Sequence, residues 1–141
     1  MRAVADTGVV VSALLWRGFP HRLLAAAEAG HLALYSSPPL IEELVGVLRR
    51  PKFAARLQAR RVTPEKLVAG YLRLARVVLP QPIAPVIADD PDDDAVLACA
   101  VAAQAPYIVS GDHHLLRVKR YRFIHLVSPR TFLVEVLRVT P

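Results

Sequence analysis

Acidic residues are scarce in this sequence but concentrated in a few places. The chain has 141 residues with 12 Asp and Glu against 18 Lys and Arg, and five of the acids fall within positions 89 to 94. Carboxylates that lie close together repel one another, so either their pKa values rise or a cation joins them. Oxygen ligands favour the hard divalent ions Mg²⁺ and Mn²⁺ over Zn²⁺. The acids that we consider as such ligands are Asp6, Glu42, Glu43, Asp92, Asp93, Asp94 and Asp112.

A divalent ion held by carboxylates has a well-defined chemistry. It can orient a water molecule, lower the pKa of that water and neutralise the negative charge that develops on a phosphate group. No His or Lys base is then required. The acidic residues therefore indicate metal-dependent hydrolysis of a phosphate ester.

Each acid also has a purely structural interpretation. A single Asp after a strand, such as Asp6, is more often a turn or cap residue. Asp90 has the position of a helix N-cap, and acids are favoured in the first turn of a helix in general. Asp112 could begin a turn. The hypothesis of a metal site depends on the whole set of acids and on where the fold places them.

The remaining residues with reactive or aromatic side chains favour packing roles. His113 and His114 have no Cys or His partners at the spacing of a zinc site. Cys99 lies in an Ala/Val/Leu-rich segment, which predicts a buried thiol. We expect Trp16 and Phe19, close to the first predicted helix, to make packing or partner contacts.

The sequence predicts alternating strands and helices. Four pairs of an N-cap residue and a proline (Ser37-Pro38, Thr63-Pro64, Asp90-Pro91 and Ser128-Pro129) mark helix starts, because Pro at the first helical position loses no needed N–H. They predict helices over 38–49, 64–75, 91–103 and 129–137, and apolar spacing adds 9–15 and 23–29. Predicted strands are 2–5, 32–36, 107–110 and 124–127. The segment from Pro80 to Pro85 is expected to be a surface loop.

The predicted elements place the acids at one edge of a sheet. Strands that alternate with helices favour a mainly parallel sheet with helices on both faces, and ligands of such sheets bind beyond the carboxyl ends of the strands. Asp6 and Asp112 each follow a predicted strand. Glu42 and Glu43 lie in the helix after another strand, and the acids at 90–94 open a further helix. We therefore expect carboxylates from distant parts of the chain to converge.

Composition and charge limit the class of protein. The length suits one domain spanning residues 1–141, and 54% hydrophobic with 21% charged residues is a globular profile. The net charge of +6 favours polyanionic partners, nucleic acid above all. One cysteine, no recognisable signal peptide and no apolar run long enough to span a bilayer lead us to expect a soluble, cytoplasmic protein without membrane association.

The sequence resembles the PIN-domain ribonucleases, in particular the VapC-like toxin components of prokaryotic toxin–antitoxin pairs. The resemblance covers nearly the whole chain, and its motifs occur in the family's order. It implies a three-layer α/β/α fold with a mainly parallel central sheet. The stretches that carry it are 5–15 (ADTGVVVSALL), 37–53 (SPPLIEELVGVLRRPKF), 90–100 (DPDDDAVLACA) and 107–112 (YIVSGD).

The resemblance also implies catalytic residues. The family's acids fall on Asp6, Glu43, Asp93 and Asp112, which would hold Mg²⁺ or Mn²⁺, and Asp94 is an alternative or additional ligand because the register beside Asp93 is ambiguous. Ser110 falls where the family has Thr or Ser, near the phosphate. The implied reaction is hydrolysis of an RNA phosphodiester, with a homodimer and a small antitoxin protein as partners. We expect Arg117, Lys119 and Arg120 to hold the RNA backbone at the rim.

Three alternatives remain. Gly8 stands where the family's first motif often has an Asn that supports the site, so the chain could be a degenerate PIN domain that only binds RNA or protein. A phospho-acceptor receiver domain would need an acidic pair after the first strand and a Lys after the last. A haloacid-dehalogenase-like phosphatase would need a second Asp two positions after Asp6, where this sequence has Gly8.

Overall fold

A mainly parallel sheet forms the centre of the molecule. The computed structural model describes residues 1–85 and 91–138, and within them the sheet has six strands in the order β3-β2-β1-β4-β6-β5. All neighbouring strands are parallel except β5 and β6. The strands are β1 (Arg2–Ala5), β2 (Ala33–Ser36), β3 (Arg76–Val77), β4 (Tyr107–Val109), β5 (Arg120–Tyr121) and β6 (Ile124–Val127).

Helices connect the strands. They are α1 (Thr7–Leu15), α2 (Phe19–Glu28), α3 (Pro38–Leu48), α4 (Ala54–Ala59), α5 (Pro64–Leu74), α6 (Pro91–Ala103), α7 (His113–Leu116) and α8 (Pro129–Thr131). A 3₁₀ turn, Pro51–Phe53, precedes α4, and a π-helical turn, Phe132–Val136, follows α8. The structure describes no helix that is long and apolar enough to cross a membrane.

Two apolar clusters lie against the sheet, one on each face. Side chains alternate along a strand, so Ala3 and Ala5 of β1 belong to one cluster and Val4 belongs to the other. The first cluster contains residues of α1, α2, α3 and α5 together with Phe132 and Leu133, and the second is built largely on α6. The predicted three-layer α/β/α fold with a mainly parallel sheet is confirmed.

Proline-marked helix starts were predicted well. α3, α5, α6 and α8 begin at Pro38, Pro64, Pro91 and Pro129. The N-cap residues Thr63 and Ser128 accept hydrogen bonds from the backbone N–H of Lys66 and Thr131. Ser37 is the N-cap of α3 without such a bond. Asp89 and Asp90 lie outside the described residues, and so does the predicted capping role of Asp90.

Replacing Thr63 by Ala should lower the stability without affecting the acids described below. The Thr63 hydroxyl satisfies the N–H of Lys66 at 3.2 Å, and loss of an N-cap side chain costs about 1 kcal/mol. We expect the thermal midpoint to fall by roughly 3–5 °C, measured by circular dichroism. Thr63→Ser keeps the hydroxyl and serves as the control. An unchanged midpoint in Thr63→Ala would show that this cap contributes nothing to stability.

The structure differs from the sequence prediction in its shortest elements. The sequence did not predict α4, α7, β3 or β5, which have six, four, two and two residues. The helix predicted over 129–137 is a single turn of α-helix continued by the π-helical turn. The predicted strands 2–5 and 124–127 have the observed bounds, and the other two predicted strands are each shortened by one residue at an end.

Candidate active site

A cavity of about 450 Å³ opens beyond the carboxyl ends of β1 and β4, and four carboxylates line it. These acids come from four separate parts of the chain: Asp6 follows β1, Glu43 belongs to α3, Asp93 belongs to α6 and Asp112 follows β4. Its volume lies in the range of ligand-binding pockets. The complete lining is Asp6, Thr7, Gly8, Val9, Ser12, Pro20, Glu43, Asp93, Val96, Gly111, Asp112 and Pro129. We refer to it below as the acidic cavity.

Asp6 is held rigidly at the end of β1. It is the N-cap of α1, and its Oδ1 accepts a hydrogen bond of 2.8 Å from the backbone N–H of Val9. Its Oδ2 accepts a hydrogen bond from the hydroxyl of Ser110. Only 7% of Asp6 is exposed. Asp6 therefore has the capping role that its position after a strand predicted. It also lies among the converging acids, as the sequence predicted.

Burial raises the pKa of Asp6 above its usual value. The hydrogen bonds from Ser110 and from the N–H of Val9 oppose this effect, because they favour the charged form, and the negative charge of Asp112 adds to it. The net pKa shift is upward. The surroundings of Asp6 therefore disfavour its ionised form, and a nearby cation would stabilise that form.

Ser110 connects two of the four acids. It follows β4, is fully buried, and donates to Asp6 while its Oγ accepts a 2.9 Å hydrogen bond from the backbone N–H of Asp112. Asp112 is the half-buried N-cap of α7, where its Oδ1 accepts from the N–H of His114 at 2.8 Å. One hydroxyl thus fixes the position of Asp112 relative to the carboxylate of Asp6.

The two ambiguous acidic pairs of the sequence are distinguished by position. Glu43 is half-buried and lines the acidic cavity, whereas Glu42 is exposed. Asp93 is 7% exposed and lines the cavity, whereas the half-buried Asp94 is not among its lining residues. Asp92 is the second residue of α6, and its side chain lies outside the described part of the structure. Geometry therefore favours Glu43 and Asp93 over their neighbours.

Three of the acids lie at helix N-termini. Asp6 caps α1, Asp112 caps α7, and Asp93 lies in the first turn of α6. The N-terminal end of a helix carries partial positive charge and stabilises a nearby carboxylate. This helps to explain how the fold can tolerate several carboxylates around one cavity. Among the described residues, no three His, Cys, Asp or Glu side chains form a group that could hold a metal ion.

None of the three basic residues expected at the rim lines the acidic cavity. Arg120 pairs with His125 across β5 and β6, and His125 pairs with Tyr107 at the start of β4. Arg120 is therefore level with the amino ends of the strands, away from Asp112. Arg117 and Lys119 are exposed, and neither lines the acidic cavity. Arg120 is not at the rim because the chain reverses after α7 and runs along the sheet edge as β5.

Two other cations, Arg50 and Lys52, lie beside the acidic cavity. Both line an adjoining cavity that shares Thr7, Gly8, Ser12 and Glu43 with the acidic one. The sequence offered a signal for them in the dense basic stretch from Arg49 to Lys52.

Cys99 is fully buried, as predicted. Burial raises the pKa of its thiol to about 12.

The sequence comparison gives the class of protein. A family model described as "PIN domain" matches residues 2–114, and the chain belongs to this family. PIN domains are generally nucleases. The family match therefore supports a hydrolase at a general level. No curated protein sequence matches the chain at a significant level.

A solved structure gives a more particular similarity. The chain is similar to a chain in the crystal structure of VapBC2 from Rickettsia felis bound to a DNA fragment from their promoter. The TM-score is 0.59 at 16% sequence identity, over 89% of this chain and 97% of that chain. At this identity the similarity shows that the fold is shared.

Proposed function

We propose that this protein is a metal-dependent ribonuclease and the VapC-like toxin of a toxin–antitoxin pair. The observation that carries the proposal is the convergence of Asp6, Glu43, Asp93 and Asp112 on one cavity. Membership of a family whose members are generally nucleases supports the reaction type. The net charge of +6 supports a polyanionic substrate.

The donor chemistry of the cavity fits Mg²⁺ or Mn²⁺. Its candidate ligands are all carboxylates, and Mg²⁺ typically takes one or two of these and completes its shell with water and phosphate oxygens. Asp6, Glu43, Asp93 and Asp112 would hold the ion, one or two of them directly and the others through water, because no three such side chains among the described residues form a group that could bind one ion together. When bound, the ion would supply an activated water and offset the charge that builds up on the phosphate.

The chain's own groups position these carboxylates. The N–H of Val9 and the hydroxyl of Ser110 hold the two oxygens of Asp6. Asp112 is held by the same hydroxyl through its backbone and by α7 through its side chain. Arg50 and Lys52 line the adjoining cavity, and from there they can attract the RNA backbone.

Ser110→Ala should reduce cleavage and shift its pH dependence. The Ser110 hydroxyl lowers the pKa of Asp6, so its removal raises that pKa further and leaves more Asp6 protonated at neutral pH. We expect kcat/KM at pH 7 to fall by about tenfold to a hundredfold and the acid limb of its pH profile to move to higher pH. Ser110→Thr, which keeps a hydroxyl, is the control. A folded Ser110→Ala variant with the wild-type acid limb would contradict this role.

A small antitoxin protein and a second copy of the chain are the proposed partners. The structural similarity is to a chain from a VapBC2 complex. A toxin of this kind would be kept inactive by an antitoxin that covers the acidic cavity. Purified without it, the chain should be in its active form.

Metal removal provides the direct test. A panel of single-stranded and structured RNAs is incubated with the purified protein in Mn²⁺, in Mg²⁺ and in EDTA. We expect cleavage with either ion, none in EDTA, and recovery when the ion is added back in excess. Cleavage that continues in EDTA would refute the metal-dependent mechanism.

The alternative is a degenerate PIN domain that binds RNA or protein without cleaving it. Gly8 favours it, because this position in the cavity wall carries no side chain where the family often has Asn. A Cβ at Gly8 would meet Asp6 Oδ1 at 3.7 Å, an ordinary contact, so the space does not require glycine. RNA that is bound but intact with both ions would support this alternative.

A further inference from the structure

A second cavity of about 360 Å³ lies beside the acidic one, and the function proposed above does not account for its far wall. The near wall is common to both cavities and consists of Thr7, Gly8, Ser12 and Glu43. The far wall contains two aromatic rings, Trp16 and Phe53, and two cations, Arg50 and Lys52. A strand of nucleic acid that crosses the acidic cavity could therefore continue directly into this one. We call it the aromatic cavity.

Contacts with each other and with Arg56 hold the aromatic rings in place. Trp16 and Phe53 meet edge to face with centroids 6.0 Å apart. The guanidinium of Arg56, which is not a lining residue, lies 5.6 Å from the Trp16 ring centroid and donates a 2.8 Å hydrogen bond to the carbonyl of Leu15. Trp16 is nevertheless 42% exposed. The ring is thus positioned by protein contacts while a large part of it remains accessible.

The charges of the two cavities are complementary to different parts of a nucleic acid. The acidic cavity needs a cation before a phosphate can approach it. In the aromatic cavity, Arg50 and Lys52 offer positive charge to a neighbouring phosphate, and Lys52 Nζ lies 5.1 Å from the centroid of Phe53. Aromatic rings beside cations are the combination that binds unpaired bases with their backbone. Glu43 in the shared wall provides one negative charge, and an apolar protein segment would add none for the two cations.

We propose that the aromatic cavity binds an unpaired nucleobase of the RNA next to the cleaved phosphodiester. The base stacks on Trp16 beside Phe53, and Arg50 and Lys52 contact the adjoining phosphate. This rests on the proposed function, since it extends the substrate path of the same site. It adds a substrate contact to the packing of Trp16 against Phe53 and Arg56, which agrees with the packing role expected from the sequence. It also makes the protein selective for single-stranded segments, because a paired base cannot enter.

The test uses the fact that Trp16 is the only tryptophan. A twelve-nucleotide oligoadenylate RNA is titrated into the full chain in EDTA, which prevents cleavage and restricts binding to the aromatic cavity with its own cations, and tryptophan fluorescence is compared with the anisotropy of a labelled copy. We expect fluorescence quenching with the same midpoint as the anisotropy change, and neither for the same strand paired with oligouridylate. In Trp16→Leu the Kd should rise by about tenfold, whereas Trp16→Phe should stay within about threefold of the wild type.

Matched variants separate stacking from general loss of structure. Phe123 is 44% exposed and lies outside both cavities, so Phe123→Leu is the aromatic control. Arg50→Gln and Lys52→Gln should each reduce the slope of log Kd against log salt by about 0.7, whereas Lys66→Gln, on α5, should not. Thermal midpoints are measured for every variant to confirm folding.

The outcomes distinguish this proposal from the proposed function. If the wild type cleaves RNA in Mn²⁺ but folded Trp16→Leu keeps the wild-type Kd and KM, the base-binding role is wrong and the aromatic cavity is left for a protein contact. If quenching and the loss in Trp16→Leu occur but no RNA is cleaved with any ion, the base site stands and the ribonuclease function fails. Tight binding of the paired strand would also overturn the proposal.

Discussion

Asp6→Asn should lower the rate of RNA cleavage by at least about a hundredfold and at the same time make the metal-free protein more stable. The loss of activity follows from the position of Asp6, which lines the acidic cavity and has both carboxylate oxygens fixed by hydrogen bonds. Asn is a good N-cap residue, so its side-chain oxygen can still accept from Val9 and keep α1 in place. The change therefore removes the charge and keeps the bond to Val9, while the amide NH₂ takes the place of Oδ2 and the Ser110 hydroxyl has to accept from it instead of donating.

The gain in stability follows from the direction of the pKa shift. Burial raises the pKa of Asp6 in the folded protein above the ordinary value of 3.8. The folded state then holds a proton that the unfolded state releases, so the stability that this group contributes is full below pH 3.8 and is lost as the pH rises through the folded pKa. At neutral pH the buried charge of Asp6 therefore lowers the stability of the folded protein, and Asn removes this charge. We expect the midpoint of Asp6→Asn to exceed that of the wild type by roughly 2–5 °C at pH 7.

Thermal unfolding with and without Mn²⁺ tests both parts of this prediction. A ligand that binds the folded state raises the midpoint, so Mn²⁺ should stabilise the wild type in EDTA-treated buffer and have a much smaller effect on Asp6→Asn. The difference between the metal-free proteins should shrink as the pH falls through the raised pKa of folded Asp6, because the folded side chain then becomes neutral like that of Asn. A metal-free variant that is less stable than the wild type at pH 7 would show that the hydrogen bonds to Asp6 outweigh the effect of its burial.

The second large effect is expected in two matched pairs of acids. Glu43→Gln and Asp93→Asn should each lower kcat/KM by about tenfold or more, whereas Glu42→Gln and Asp94→Asn should stay within about twofold of the wild type. The reason is position, since Glu43 and Asp93 line the acidic cavity and their neighbours do not. The two substitutions of each pair remove one negative charge from the same helix, which is α3 for the glutamates and α6 for the aspartates.

The pairs control for effects on the fold. Asp93 and Asp94 lie near the N-terminus of α6, where a carboxylate interacts favourably with the helix dipole, and each substitution removes about the same interaction. Stability should therefore change similarly within each pair while activity differs. If Asp94→Asn were as inactive as Asp93→Asn, the site would use both residues, and the ligand set would have to include Asp94.

The sequence was sufficient to predict where the acids converge. Each parallel strand ends at the same edge, and Asp6 and Asp112 follow the apolar segments that became β1 and β4, so their proximity followed from the alternation of strands and helices. The N-cap and proline pairs located the helices that carry Glu43 and Asp93. Sequence spacing could not choose between Asp93 and Asp94, because that choice depends on the rotation of α6 against the sheet.

The position of the basic residues could not be predicted from the same signals. β5 is a two-residue strand that returns through a tight turn with Arg122 at a φ of 53°. Such a turn usually contains Gly, Asn or Asp, and this segment has none. Without that signal, Arg120 was expected at the rim together with Arg117 and Lys119. The cations of the aromatic cavity depend on how the turn after α3 packs against α1, which is a tertiary contact.

The two edges of the sheet also bear on how copies of this chain can associate. The outermost strands, β3 and β5, are each two residues long. A free strand edge can serve as a template for another chain, and very short edge strands limit this kind of pairing. A continuous sheet that runs from one copy into the next is therefore disfavoured, and so is fibrillar growth from the native state. Any pairing of two copies would have to use helix faces and loops, where an interface can be closed and symmetric.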